Sequence, residues 1–115
     1  MMRRVAGRWR ILEMDLWDRE AIDLVGPAFI EFTVDGRGSF RFIAVEGYLD
    51  CRQAEHGEGT VEFTWEGYDD GDRVSGRGWA RVETDGSLSG HIFFHAGDDS
   101  GYTAVPEGSG SVHVS

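Results

Sequence analysis

The chain reads as a mainly β protein: an antiparallel meander of six or seven strands, curled into a small up-and-down barrel or a strongly curved sheet, with one short α-helix between strands 1 and 2. Three observations predict it. Asp-Gly pairs recur at Asp35-Gly36, Asp70-Gly71 and Asp85-Gly86, and this dipeptide tolerates the positive φ that tight hairpin turns demand. The stretch TVEFTWE alternates cleanly, with Val61, Phe63 and Trp65 on one face and Thr60, Glu62, Thr64 and Glu66 on the other, the period of a half-buried strand. Seven Phe, four Trp and three Tyr in 115 residues supply bulky side chains for a single core.

The elements follow in chain order. A first strand is predicted near residues 8–14. Asp18 then suits a helix N-cap, and Trp17 before it is placed to pack on Ile22 as a hydrophobic staple. Ala21, Ile22, Leu24 and Val25 give this helix an apolar face, and Gly26-Pro27 ends it. A second strand is expected near 28–34, with Ile30, Phe32 and Val34 facing one way, and a third near 39–49. Strands near 60–67, 74–83 and 87–95 come next, and a last one near 101–105. In the 74–83 strand, Arg77, Trp79 and Arg81 share one face. Val74, Gly76, Gly78, Ala80 and Val82 share the other, and such small residues invite close approach by another backbone or a large aromatic ring. Residues 1–106 form one domain in this reading, and the Gly/Ser-rich segment 107–115 is a flexible tail. Closing the meander removes its exposed edges; the alternative is an open sheet that covers one face with the helix or with a second copy in a homodimer.

Composition narrows function. A net charge of −10 argues against nucleic acid, whose phosphates need clustered Lys and Arg. No stretch has the apolar run of a signal peptide or a membrane span, which points to a cytoplasmic protein without a membrane partner. Cys51 stands alone, so no internal disulfide is expected; His56 lies five residues on as a possible base, but Cys51 reads as a plain structural or surface residue.

The run HIFFHAGDDSGY concentrates groups that could do chemistry. On a strand, His91 and His95 share a face but lie roughly 13 Å apart, too far to bind one ion as a pair. Both are expected on the solvent or interface side, with Leu88, Ile92 and Phe94 pointing inward. Strand parity in the predicted meander places the turns at 35–37, 69–72 and 97–101 at one end. That end would gather Asp35, Asp69, Asp70, Asp72, Asp98 and Asp99; Asp69, Asp72, Asp98 and Asp99 are the candidates for a hard cation there, although turns favour Asp for conformational reasons alone. Arg77 can pair with Glu62 or Glu66 across the sheet, or else bind an anion or stack on an aromatic ring.

Catalytic patterns are sparse. There is no Gly-x-Ser-x-Gly elbow, phosphate-binding loop or paired-cysteine motif. A hydrolase-like set using His95 with Asp98 or Asp99, and Ser100 as nucleophile, can be drawn, but nothing in the sequence fixes its geometry.

Gly7-Arg8-Trp9 at the start of the first strand resembles the Gly-x-Trp signature of lipocalins and related calycin barrels, which implies a small hydrophobic ligand held inside the barrel. The set WEGYDDGD, SGRGWA and HAGDDS is similar to a group of small bacterial proteins with no assigned activity, which implies a compact bacterial cytosolic protein. The reading that results is a non-catalytic binding protein with no cofactor, taking a small molecule in the barrel mouth or a protein partner. Trp9, Trp65, Arg77, Trp79, His91 and His95 are the candidate pocket wall. An acidic, inhibitor-like interaction module that docks a basic partner is the alternative, and the hydrolase is a third.

Overall fold

The computed structural model describes residues 4–53 and 59–107. Eight strands follow one another: β1 (Gly7–Met14), β2 (Phe29–Phe32), β3 (Arg37–Phe42), β4 (Val45–Gln53), β5 (Thr60–Asp69), β6 (Asp72–Val82), β7 (Leu88–Phe94) and β8 (Asp99–Pro106), with helix α1 (Arg19–Ile22) between β1 and β2. Each strand pairs antiparallel with its neighbour in sequence, and β8 returns to pair with β1. The sheet is therefore a closed barrel without a free edge, which removes the template for edge-to-edge association. Among the described residues, no helix is long and apolar enough to cross a membrane.

The strand count is one correction. The stretch expected as a single strand near 39–49 is two strands joined by Ile43-Ala44, since Phe42 pairs directly with Val45. Ile43 takes φ 54°, a left-handed conformation that a β-branched residue adopts only at a cost. Its N–H donates to the Ile22 carbonyl at 2.8 Å, and its side chain packs against the core. Tertiary contacts thus impose a turn that carries no glycine or asparagine to announce it. Asp70-Gly71 shows the announced kind: φ is 52° and 95° at its two residues, as a type I′ hairpin requires.

The helix is shorter than its apolar pattern suggests. Asp18 is the N-cap and accepts from the Ala21 N–H at 2.9 Å. Only Ile22 of the expected apolar face is fully buried; Leu24 and Val25 lie beyond the helix and are 69% and 59% exposed. Val34 likewise falls in the β2–β3 turn and is exposed, while Ile30 and Phe32 face the core.

Alternation along the strands builds that core. Val61, Phe63 and Trp65 are buried, with Glu62, Thr64 and Glu66 exposed between them. In several cross-strand pairs a bulky ring lies over the glycine opposite it: Phe40 over Gly47, Phe63 over Gly78, Trp65 over Gly76, and Tyr102 over Gly90. A Cβ added at Gly47, Gly78 or Gly90 would come within 2.6 Å of the partner ring, and one at Gly76 would lie 2.9 Å from the Trp65 indole nitrogen. Each ring lies across its partner strand where a side chain is missing. The rings then touch one another, with Trp65 4.9 Å from Phe40 and 5.2 Å from Phe94 between centroids. Trp17 continues the chain at one end, 5.5 Å from Phe42.

The extra hairpin also changes which turns share an end. Segment 15–28, Ile43-Ala44, Asp70-Gly71 and the turn at 95–98 lie together at one end. The turns at 33–36 and 83–87 lie at the other. Asp35 is thus separated from Asp69, Asp70, Asp72, Asp98 and Asp99, against the six-carboxylate rim expected from a shorter meander.

Candidate functional site

The six candidate wall residues do not surround one pocket. Trp9 and Trp65 face inward and are 5% and 3% exposed. Each uses its indole N–H within the fold: Trp9 donates to the Val5 carbonyl at 2.8 Å, and Trp65 to the Phe93 carbonyl at 3.3 Å. Satisfying that polar group lets an indole serve as core. Arg77, Trp79 and His91 sit on the outer face, at positions that alternate with the buried ones of β6 and β7. His95 lies exposed in the β7–β8 turn, where its backbone N–H donates to the Ser75 carbonyl at 2.7 Å.

Register brings the three outer residues together. Trp79 is opposite His91, and Arg77 is opposite Phe93. The Arg77 guanidinium lies 4.4 Å from the centroid of the Phe93 ring, and that ring is 4.5 Å from the His91 imidazole. His91 Nε2 in turn meets Asp99 Oδ2 at 2.5 Å. Arg81 stands 5.3 Å over the Trp79 indole. Phe93 was not among the sequence candidates; its place beside His91 on the outward parity of β7 was the available signal.

The ion pairing expected for Arg77 does not form. Glu66 meets Arg73 at 3.8 Å, and Arg52 meets Asp50 at 3.1 Å. Among the described residues, neither Arg77 nor Glu62 joins an ion pair. Arg77 turns to the β7 side because Phe93 offers a ring face there, and cation–π contact with a weakly hydrated guanidinium replaces the carboxylate. Both charges border an outer groove of about 350 Å³ that is also lined by Asp50, Arg52, Thr64 and Trp79, with Phe63 and Gly78 beneath.

The drawn hydrolase set is not assembled. Ser100 is 2% exposed and faces the core; its hydroxyl donates to the Gly101 carbonyl at 2.9 Å and accepts from the Leu16 N–H at 3.2 Å. Asp99 engages His91, and no side-chain hydrogen bond joins His95 to Asp98 or Asp99 among the described residues. Cys51 is buried, and burial with the neighbouring Asp50 charge pushes its thiol up to about 11, so it is not an activated nucleophile. His56 lies outside the described residues. No group of three or more His, Cys, Asp and Glu side chains among the described residues converges to hold a metal ion, and Asp69, Asp72, Asp98 and Asp99 share an end without forming such a group.

Neither a protein-family model, nor a curated protein, nor a solved structure matches this chain.

Proposed function

We propose that this chain is a non-catalytic binding protein whose ligand site is the outer groove between β4, β5 and β6, beside the aromatic ladder of β6 and β7. The observation that carries this reading is Arg77: a guanidinium held on the Phe93 ring, outside any ion pair among the described residues, next to the Trp79 indole. An exposed cation positioned by an aromatic and bordering a concavity is poised for a partner that supplies an anion and a flat apolar surface. The groove volume of about 350 Å³ sits at the small end of the range for small-molecule sites. The calycin resemblance finds support in an eight-stranded closed barrel with a buried β1 tryptophan. Its implication of an interior ligand fits less well, because Phe40, Trp65 and Phe94 pack against one another at the buried core.

A titration with 8-anilinonaphthalene-1-sulfonate, an anionic aromatic probe, followed by amide NMR, tests the location. The expected shifts fall on Thr64, Arg77 and Trp79. Shifts concentrated on Trp9, Trp65 and Leu49 would move the site into the barrel and overturn the outer-groove reading.

One feature favours the interaction-module alternative. Leu24 and Val25 are 69% and 59% exposed, and Val25 lines a hollow that also holds Glu46, Asp70 and Arg41, an exposed apolar pair of the kind that marks an interaction surface. Replacing both by Ser should raise solubility with little loss of stability. A large loss of stability would mark them as structural.

A further inference from the structure

The groove proposed above carries two opposite charges, and their placement narrows the chemistry of what it binds. Resting on that reading, we infer that its ligand is a zwitterion with a flat apolar body, the chemistry of a free aromatic amino acid.

Trp79 pairs with Glu62, and Arg77 pairs with Thr64. Glu62 and Arg77 are therefore diagonal neighbours on the outer face, about 7–8 Å apart at the backbone. Where an arginine and a glutamate are direct register partners, as Arg8 and Glu31 are on β1 and β2, the pair closes at 3.1 Å. Here it stays open: Arg77 is drawn to Phe93 at 4.4 Å, and Arg52, directly opposite Glu62, is committed to Asp50 at 3.1 Å. A carboxylate and a guanidinium that do not pair with each other thus border one concavity together with an indole.

Each group selects a different part of a ligand. Arg77 offers the planar fork that matches a carboxylate. Glu62 accepts from an ammonium. Arg81 stands 5.3 Å over the Trp79 indole, so the ligand's apolar ring stacks on the other face. A simple carboxylate would meet repulsion from Asp50 and Glu62, and a simple amine would meet it from Arg77 and Arg52. A molecule that carries both charges avoids both penalties, so the repulsive terms specify the class as much as the attractive ones do.

The test titrates the full chain at low salt with L-phenylalanine, 3-phenylpropionate and 2-phenylethylamine, observing the amides of Thr64, Arg77 and Trp79. L-Phenylalanine is expected to bind at least about tenfold more tightly than either single-charge analogue, since each lost charge-assisted contact is of that order. Arg77→Gln should erase the preference over 2-phenylethylamine, and Glu62→Gln the preference over 3-phenylpropionate. Both residues are exposed, so melting temperatures should stay unchanged and report intact folding. Equal affinity for 3-phenylpropionate and L-phenylalanine overturns the zwitterion inference, as does an Arg77→Gln variant that keeps the full preference. Failure of all three ligands while 8-anilinonaphthalene-1-sulfonate still maps to the groove also overturns it, and leaves the groove itself standing.

Discussion

Gly78 sits directly across from Phe63 between β6 and β5, and a Cβ placed on Gly78 would lie 2.6 Å from the ring carbon Cζ and 2.4 Å from the His91 carbonyl oxygen. The glycine is therefore part of the core packing although it contributes no side chain. Gly76 stands in the same relation to Trp65, with the Phe93 carbonyl oxygen only 1.7 Å from its hypothetical Cβ.

Alanine at either position must displace backbone as well as a ring, so overpacking costs of about 2 kcal/mol or more are expected. Gly76→Ala should be the worse of the two because its nearest obstacle is the more closely placed backbone atom. Urea unfolding of both variants checks this. A loss below about 0.5 kcal/mol in Gly78→Ala would mean that the ring moves freely and the glycine is incidental.

The glycine pairs mark how far sequence reasoning reached. Alternation in β5 and the small inward residues Gly76, Gly78 and Ala80 of β6 were legible, together with the prospect that a large ring lies over them. Asp70-Gly71 announced its hairpin through its own conformational preference. Ile43-Ala44 did not, because that turn is imposed from outside by the Ile22 carbonyl and core packing. That single missed turn changed the strand count and moved Asp35 to the other end of the barrel. At the site, the outward parity of Arg77, Trp79 and His91 could be read. The choice of Phe93 over Glu62 or Glu66 as the partner of Arg77 could not, since it depends on which neighbouring strand the guanidinium turns toward. Trp9 and Trp65 drew attention as indoles, and only the three-dimensional structure supplies the carbonyls that let them serve as core.

Ala96 offers a way to relieve strain. It takes φ 57° in the exposed turn between β7 and β8, where an L residue costs roughly 1–2 kcal/mol and glycine does not. Ala96→Gly should stabilise the protein by about 0.5–1 kcal/mol after the extra chain entropy of glycine is counted. Ile43→Gly should instead lose stability, because the isoleucine packs against the core and deleting that side chain costs more than the strain it relieves. Thermal unfolding of both variants separates the terms. Destabilisation by Ala96→Gly would contradict the strain argument.

Alkaline pH should weaken the fold through Cys51 and Tyr102. Burial, then the Asp50 charge, raises the Cys51 thiol from 9.0 to about 11. Burial also raises the Tyr102 hydroxyl, which donates to the Trp79 carbonyl at 3.3 Å. Folded values above unfolded ones mean that the native state holds these protons more tightly. The Cys51 contribution is complete below about pH 9 and declines as pH rises toward 11, whereas that of Tyr102 begins to decline only above about pH 10. For Cys51 the gap is worth roughly 2–3 kcal/mol. Cys51→Ala should therefore flatten the alkaline loss of stability without abolishing it, since Tyr102 remains. Denaturant unfolding at pH 7, 9 and 10.5 measures the slope; an unchanged slope in the variant would remove Cys51 from the explanation.

The two histidines should be separable by stability. His91 Nε2 lies 2.5 Å from Asp99 Oδ2, with the two side chains 26% and 52% exposed. A hydrogen-bonded contact this open to solvent contributes about 1 kcal/mol or less. The imidazole also covers part of the Phe93 ring, so His91→Ala should cost slightly more than Asp99→Asn, and both should stay near 1 kcal/mol. His95 makes no side-chain hydrogen bond among the described residues, so His95→Ala should leave unfolding unchanged. The placement of His91 predicts a further difference: its removal frees one side of the Phe93 ring and should loosen the Arg77 guanidinium, seen as broader side-chain resonances of Arg77, whereas His95→Ala should leave them as they are. Loss of several kcal/mol in His91→Ala would put that imidazole inside the packed structure and contradict the outward parity of β7.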